Sequence, residues 1–273
     1  EEVIRNNLLV DEGDAFNEIL QNKSINKIKS KGIFEKVDFK ILNGSTENLK
    51  IIEIDVEEKA TGEISAGAGI GSSGSAISFG IKENNYMGKG VRINSSLSFA
   101  QNSVKGELTF EDPNFRNSNN SLYTVLNRTT KDRMTDSGYE SSNTGVSFGS
   151  NFEKYENLFL LPTIEINHEE LKTSSKASAS LKKQEGDYFE TNFNYVLDYD
   201  KRDRSYQTTD GFRSKFSQTL PLIADTYELR NSYEFSKYQE LYNGMLSTFT
   251  FTTSSVNSLN DKDVRISKRL FIP

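Results

Sequence analysis

Residues Gly69-Ile70-Gly71-Ser72-Ser73-Gly74 match the G-x-G-x-x-G spacing of a dinucleotide-binding loop. That spacing holds a phosphate when a strand leads into it and a helix follows, because the helix N-terminus meets the pyrophosphate. The residues that follow are "SAISFGIKENNYMGKG", in which Ile77, Phe79 and Ile81 alternate with Ser78, Gly80 and Lys82. A period of two is a strand. The stretch therefore reads as strand, Ser-Ser-Gly turn, strand, and the glycines need another explanation.

The remaining chemistry-bearing residues are sparse. The chain has no Cys, which removes disulfides, thiolate zinc sites and cysteine nucleophiles together. Its single His168, in "INHEELKTSS", allows no histidine metal cluster and reads as an exposed residue at a loop edge. "DYDKRDRSYQTTD" gathers Asp198, Asp200, Asp203 and Asp210 with Arg202 and Arg204. Its acids lack the spacing of an EF-hand, and the arginines can neutralise them, so a structural charge network in a turn is expected. Glu169-Glu170 opens a loop without a partner for paired-carboxylate chemistry, and Glu53, Asp55, Glu57 and Glu58 form a solvated strand face. No catalytic constellation, metal set or cofactor site emerges. A net charge of -6 argues against nucleic acid as a partner.

Two regimes of elements must position whatever the chain does. "EEVIRNNLLV" reads like the middle of a domain, so a fragment is expected. Glu2 to Leu9 predicts a short helix. A second helix follows, with Asp14 as N-cap, Phe16, Ile19, Leu20 and Ile28 on its apolar stripe and Gly32 as its stop. Val37, Phe39 and Ile41 then share one strand face; Asn43-Gly44 turns the chain, and Ile52, Ile54 and Val56 return. Beyond residue 62 every segment alternates. Strands are predicted near 62–71, 75–86, 90–100, 103–111, 120–130, 144–154, 157–168, 187–200, 211–220, 226–237 and 244–254. With no helix between them, neighbours are expected to be antiparallel.

These strands run about ten residues or longer, against about five or six in ordinary soluble sheets. That is the length of a tilted β-strand crossing a bilayer. The hydrophobic fraction of 34% fits, because only every second residue of a barrel meets lipid. Phe79, Ile81, Leu97, Phe99, Leu108, Phe110, Phe148, Phe193, Tyr195 and Phe235 are expected to face lipid, and Lys82, Lys105, Glu107, Asn194 and Arg230 the lumen. Tyr86, Tyr123, Tyr155, Phe159, Phe189, Tyr199, Phe212, Tyr227 and Tyr238 are candidates for interfacial girdles. Segments 131–143 and 169–186 read as long outer loops.

"LLVDEGDAFNEILQNKSINKIKSKGIFEKVDFKI" resembles the last POTRA domain of the BamA-like outer-membrane assembly factors, and "VEEKATGEISAGAGIGSSGSAISFGIKENNYMGKGVRI" resembles its passage into the barrel. "LTFEDPNFRNSNNSLY", "YENLFL" and "LDYDKRDRSYQTTDGF" are similar to later turns of the same family. The resemblance implies a mainly β fold: a transmembrane antiparallel β-barrel, with about eleven strands of the roughly sixteen expected. Residues 60–273 form this incomplete barrel, and residues 1–59 a small α+β POTRA domain lacking its first strand. The family carries an R-G-F motif in a loop that folds into the lumen. "DVRISKRLFIP" resembles the approach to it, and the chain stops at Pro273, so neither that motif's loop-to-wall contact nor a closed barrel is expected here.

The resemblance also gives the opening glycines a role. In such families the first barrel strand pairs weakly with the last and the seam opens sideways. Gly62, Glu63, Ile64, Ser65, Ala66, Gly67, Ala68, Gly69 and Ile70 would form this lateral gate. Glycine packs no side chain and loses the most backbone entropy on ordering, which makes a poor strand and a ready template for an incoming one. The alternative is that the glycines permit close packing or a bend. The implied function is insertion of β-barrel proteins into the bacterial outer membrane, without catalysis or cofactor. The POTRA portion would lie in the periplasm, with unfolded outer-membrane proteins, accessory lipoproteins and the lipid bilayer as partners. The rival readings are a related POTRA-barrel translocation pore and a passive channel.

Overall fold

The computed structural model describes residues 1–10, 12–46, 49–71, 74–204 and 207–270. The chain begins with α1 (Glu2–Arg5) and α2 (Glu18–Ser30), followed by a two-stranded sheet of β1 (Phe34–Asn43) and β2 (Lys50–Glu58). The N-cap of α2 is Asn17 rather than Asp14; its side chain accepts hydrogen bonds from the backbone N–H groups of Ile19 and Leu20. Gly32 ends the helix with φ +68, a backbone conformation that favours glycine. The buried stripe is Gln21, Ser24, Ile25 and Ile28, and Ile19 is 68% exposed, contrary to the expected stripe. Ser24 escapes a hydrophobic pattern because it is buried by bonding: its Oγ accepts from Leu9 N–H and donates to the Leu20 carbonyl. Ile25, Ile28 and Val37 form the core of this module, with Ile54 and Val56 packed against it. The pairs Val37–Val56, Phe39–Ile54 and Ile41–Ile52 bring together the two apolar faces read from the sequence. The first helix is shorter than predicted, ending at Arg5.

Eleven strands follow in one antiparallel sheet whose spatial order is the chain order. They are β3 (Glu63–Gly71), β4 (Gly74–Tyr86), β5 (Val91–Ala100), β6 (Ser103–Asp112), β7 (Ser121–Arg133), β8 (Tyr139–Tyr155) and β9 (Leu158–Thr173), then β10 (Gly186–Asp200), β11 (Gly211–Ala224), β12 (Glu228–Glu240) and β13 (Leu246–Ser258). Between β9 and β10 lies a single helical turn, α3 (Ala179–Lys182). The expected turn at Ser72-Ser73 lies outside the described residues; β4 pairs directly back on β3, with Gly71 opposite Gly74. A strand after the glycines disposes of the dinucleotide reading.

Register carries one face continuously round the sheet. Ile81, Ser95, Leu108, Leu126, Val146 and Ile166 are successive cross-strand partners, as are Phe110, Thr124, Phe148, Ile164 and Phe193. The opposite face carries Lys82, Lys105, Glu107, Asn194 and Arg230, so every residue assigned to a face lies on the predicted one. The apolar face stays open: Phe79 is 52% exposed and Phe148 50%. Three girdle candidates are on the wrong side. Tyr123 bonds Thr163 Oγ1 at 2.6 Å on the inner face, Phe159 is the partner of inward Asp198, and Tyr238 lies two residues from inward Ser236.

The long outer loops shrink to residues 134–138 and 174–185, because β8 and β9 run to 17 and 16 residues. At ~3.3 Å per residue β8 spans about 56 Å, well beyond a ~30 Å hydrocarbon layer. Above that layer both faces are wet, so the backbone ladder continues through polar residues that read as loop. His168 consequently sits within β9, exposed on the outer face beside Asp187 at 3.4 Å, and not at a loop edge. The α+β module abuts the opposite end of the sheet: Lys27 and Lys31 donate to Asn119 and Asn114, and Thr61 bonds Glu83 at the junction.

Candidate functional site

The predicted gate residues form β3, one of the two edge strands of the described sheet; β13 is the other. Residues Glu63 to Gly71 pair with β4 on one side, and among the described residues no strand pairs with the other. The two large apolar side chains stand almost fully exposed, Ile64 at 87% and Ile70 at 92%. Cross-strand partners are small or polar along most of its length: Ser65–Gly80, Gly67–Ser78, Gly69–Ala76 and Ile70–Ser75. Only Ile64–Ile81, Ala66–Phe79 and Ala68–Ile77 add apolar contact.

The glycines themselves separate the two explanations. Neither Gly67 nor Gly69 has a positive φ. A Cβ on Gly69 would meet nothing within 4 Å, and one on Gly67 would meet only Ser78 Oγ, at 3.2 Å. By contrast, a Cβ on Gly149 would lie 2.3 Å from the Tyr123 ring and one on Gly211 2.2 Å from the Lys201 carbonyl. Close packing thus accounts for Gly149 and Gly211; within the described residues it does not account for Gly67 or Gly69.

The acids of the 198–210 region divide among separate partners. Asp198 pairs with Arg213 at 2.5 Å across the sheet, Asp200 with Arg202 at 2.6 Å, and Asp210 with Lys237 at 3.7 Å. Asp203 accepts from the Thr209 hydroxyl at 2.7 Å and the Thr209 and Asp210 N–H groups, and these bonds hold its carboxyl well below the usual carboxylate range. Asp200 and Asp203 organise the turn, as expected, whereas Asp198 and Asp210 pair with side chains of β11 and β12.

Nothing in the residue pattern points to a second cluster. After β13 the chain folds back over the inner face, and Arg265 becomes 2% exposed. Its guanidinium donates to Glu169 at 2.8 Å, Glu190 at 2.5 Å and Glu228 at 3.2 Å, while its backbone N–H donates to Glu228 at 2.9 Å. The guanidinium also lies 4.6 Å from the Tyr188 ring centroid, and Lys268 bonds the other oxygen of Glu190. Burial opposes the arginine charge, but Glu190, Glu228 and Glu169 outweigh it, so its pKa sits above the ordinary value. This contact lies upstream of the R-G-F motif that the resemblance implies, and is separate from it. Glu169 and Glu170, adjacent in sequence, are separated by the pleat: Glu169 enters this cluster, and Glu170 pairs with Lys172.

Residues 85–272 match the Omp85 superfamily domain, more than half of the sequence. The chain belongs to the Omp85 superfamily. Among solved structures it is similar to BamA from Haemophilus ducreyi lacking POTRA domains 1–3, with a TM-score of 0.82 at 20% identity, covering 97% of this chain and 54% of that one. It is less similar to CdiB from Acinetobacter baumannii (TM-score 0.52, 10% identity, 96% and 51% covered) and CdiB from Escherichia coli (0.55, 10%, 94% and 52%). No curated protein sequence matches it. The chain spans about half the length of these solved structures. Its sheet is a BamA-like part of an Omp85 barrel, a fold of the bacterial outer membrane, and the polar inner face is the barrel lumen.

Proposed function

We propose that this chain belongs to an insertase for outer-membrane β-barrel proteins, and that residues 62–70 are where an incoming strand pairs. The observation that carries this is the pair Gly67 and Gly69 in β3, at one edge of the sheet, which neither backbone angle nor the space within the described residues demands. A substrate strand can add to such an edge through its backbone alone, so one gate serves many barrel sequences. The mechanism needs no bond chemistry and no cofactor. In this reading residues 1–59 are the last POTRA domain, lacking its first strand, and lie in the periplasm where unfolded outer-membrane proteins and accessory lipoproteins arrive. The higher likeness to BamA than to CdiB favours insertion over the rival translocation pore.

The test is site-directed crosslinking in the full-length parent. Single cysteines at Glu63, Ser65 and Gly67 are expected to capture a nascent barrel substrate, and cysteines at Glu107 and Thr109, in doubly paired β6, are not. Capture mainly from lumen positions such as Asn192, with none from the edge, would point to a translocation pore. A disulfide locking this strand to the closing strand is expected to stop insertion while leaving the fold intact.

A further inference from the structure

The lipid-facing side of the sheet carries Arg128 where the apolar band ends. On β7, β8 and β9 that band stops at the cross-strand partners Leu126, Val146 and Ile166, and the next outward residues are Arg128, Thr144 and His168. Toward β4 the same cross-strand row is still apolar, running Phe79, Leu97, Gly106 and then Arg128. Arg128 therefore stands at a step in the band, in the half of the sheet remote from the α+β module. Among the described residues its guanidinium bonds no carboxylate. It donates to two hydroxyls, Thr144 Oγ1 at 3.3 Å and Ser142 Oγ at 3.4 Å. The nearby acids are engaged elsewhere: Glu170 bonds Lys172 at 2.9 Å, and Asp187 lies 3.4 Å from His168. Ser142 is one row farther from the apolar band than Thr144, so the side chain leans toward the polar end of the face, as a snorkelling arginine does. The rest of its donor fork has no protein acceptor among the described residues.

Beside Arg128 the face is cut away. Gly106 is its direct cross-strand partner, and neither backbone angle nor space demands a glycine there. A Cβ would make only an ordinary contact, 3.7 Å from Leu97 Cδ1. The bare backbone leaves a shallow notch between Leu97 and Arg128, continuous with the exposed Leu108 on the same face of β6. We infer that Arg128 and the Gly106 notch bind a phosphate-bearing lipid in the leaflet remote from the α+β module. The guanidinium holds the phosphate, and an acyl chain lies over Gly106 against Leu97 and Leu108. An arginine suits this because its fork sets parallel N–H donors against phosphate oxygens. Without that partner, a cation at the rim of the apolar band has only neutral hydroxyls to offset its charge. A free phosphate ion makes no use of the notch, whereas a lipid fills both parts of the site.

The site does not depend on what the barrel inserts or transports. The test is native mass spectrometry of the full-length parent, titrated in dodecyl maltoside micelles with dioleoyl phosphatidic acid. The unmodified protein is expected to retain a first phosphatidic acid more tightly than any later one, and to retain no dioleoylglycerol, which lacks the phosphate. Arg128→Gln is expected to weaken that first affinity at least ~10-fold through loss of the charge-assisted pair. Arg128→Lys supplies a point charge without the fork and is expected to recover only part of it. Gly106→Leu fills the notch while keeping the charge, and is expected to weaken lipid binding as well. Lys105→Gln removes a cation from the inner face of the adjoining strand and is expected to change nothing. Inorganic phosphate in large excess is expected to leave the lipid bound. Unchanged affinity in Arg128→Gln, or an equal loss in Lys105→Gln, overturns the site. Displacement by inorganic phosphate, with full affinity kept in Gly106→Leu, reveals a plain anion site and overturns the lipid assignment.

Discussion

Replacing Gly67 and Gly69 with alanine isolates the contribution of these glycines from every other feature of the proposed gate. Both positions have ordinary strand dihedrals, and a new Cβ meets open space at Gly69 and only the Ser78 hydroxyl at Gly67. The substitution therefore adds no clash that a rotation of Ser78 cannot relieve. Glycine within a strand costs roughly 0.5–1 kcal/mol relative to alanine, through the entropy of ordering it. The two positions together stabilise β3 in its paired state by ~1–2 kcal/mol, a ~5- to 30-fold drop in the open population at ~1.4 kcal/mol per tenfold. Amide exchange of peptides covering 63–71, in nanodiscs under conditions where opening is pre-equilibrated, reads this directly. Protection is expected to rise by that factor in β3 and to stay constant in β5 and β6. Where opening limits substrate assembly, the assembly rate falls in parallel. If β3 exchanges as fast as before, the glycines do not set its stability, and the account of the weak edge is wrong.

Arg265→Met alone is expected to destabilise the barrel by ~3–5 kcal/mol, because it leaves Glu169, Glu190 and Glu228 buried with Lys268 as the one remaining cation that bonds them among the described residues; urea unfolding in detergent, compared with a variant that also carries Glu169→Gln, Glu190→Gln and Glu228→Gln, checks this. Phe148→Arg, on the lipid face, is expected to cost ~2–4 kcal/mol in bilayer refolding, and Ser147→Arg, one residue away on the lumen face, much less; equal costs would refute the face assignment. The carboxyl of Asp203 titrates below its ordinary value, so its support for the 201–210 turn is complete above the usual aspartate range and is lost only as pH falls through the depressed folded pKa. Exchange in that turn is expected to show the same protection factor at pH 7 and at about pH 5, and Asp203→Asn to loosen it at both.

Strand number, order and facing were legible along the chain because each is a local property. Alternation such as Phe193/Tyr195/Leu197 names a strand and its outward face, and an unbroken run of strands with tight turns leaves little but an antiparallel meander. The glycine-rich composition of β3 was legible for the same reason. What escaped were features settled by distant partners. Asn17 caps α2, and Ser24 is buried through its bonds to Leu9 and Leu20, which no hydrophobic period records. The ends of β8 and β9 are set by ladder partners; their polar residues imitate loop. Tyr123 points inward because register, and not aromatic character, fixes its side. Above all, Arg265 draws its three carboxylates from 37, 75 and 96 residues away. In sequence they are one arginine and three ordinary glutamates, and only the curl of the sheet and the return of the chain across it bring them within reach of a single guanidinium, because an ion pair depends on distance in space and leaves no period in the chain.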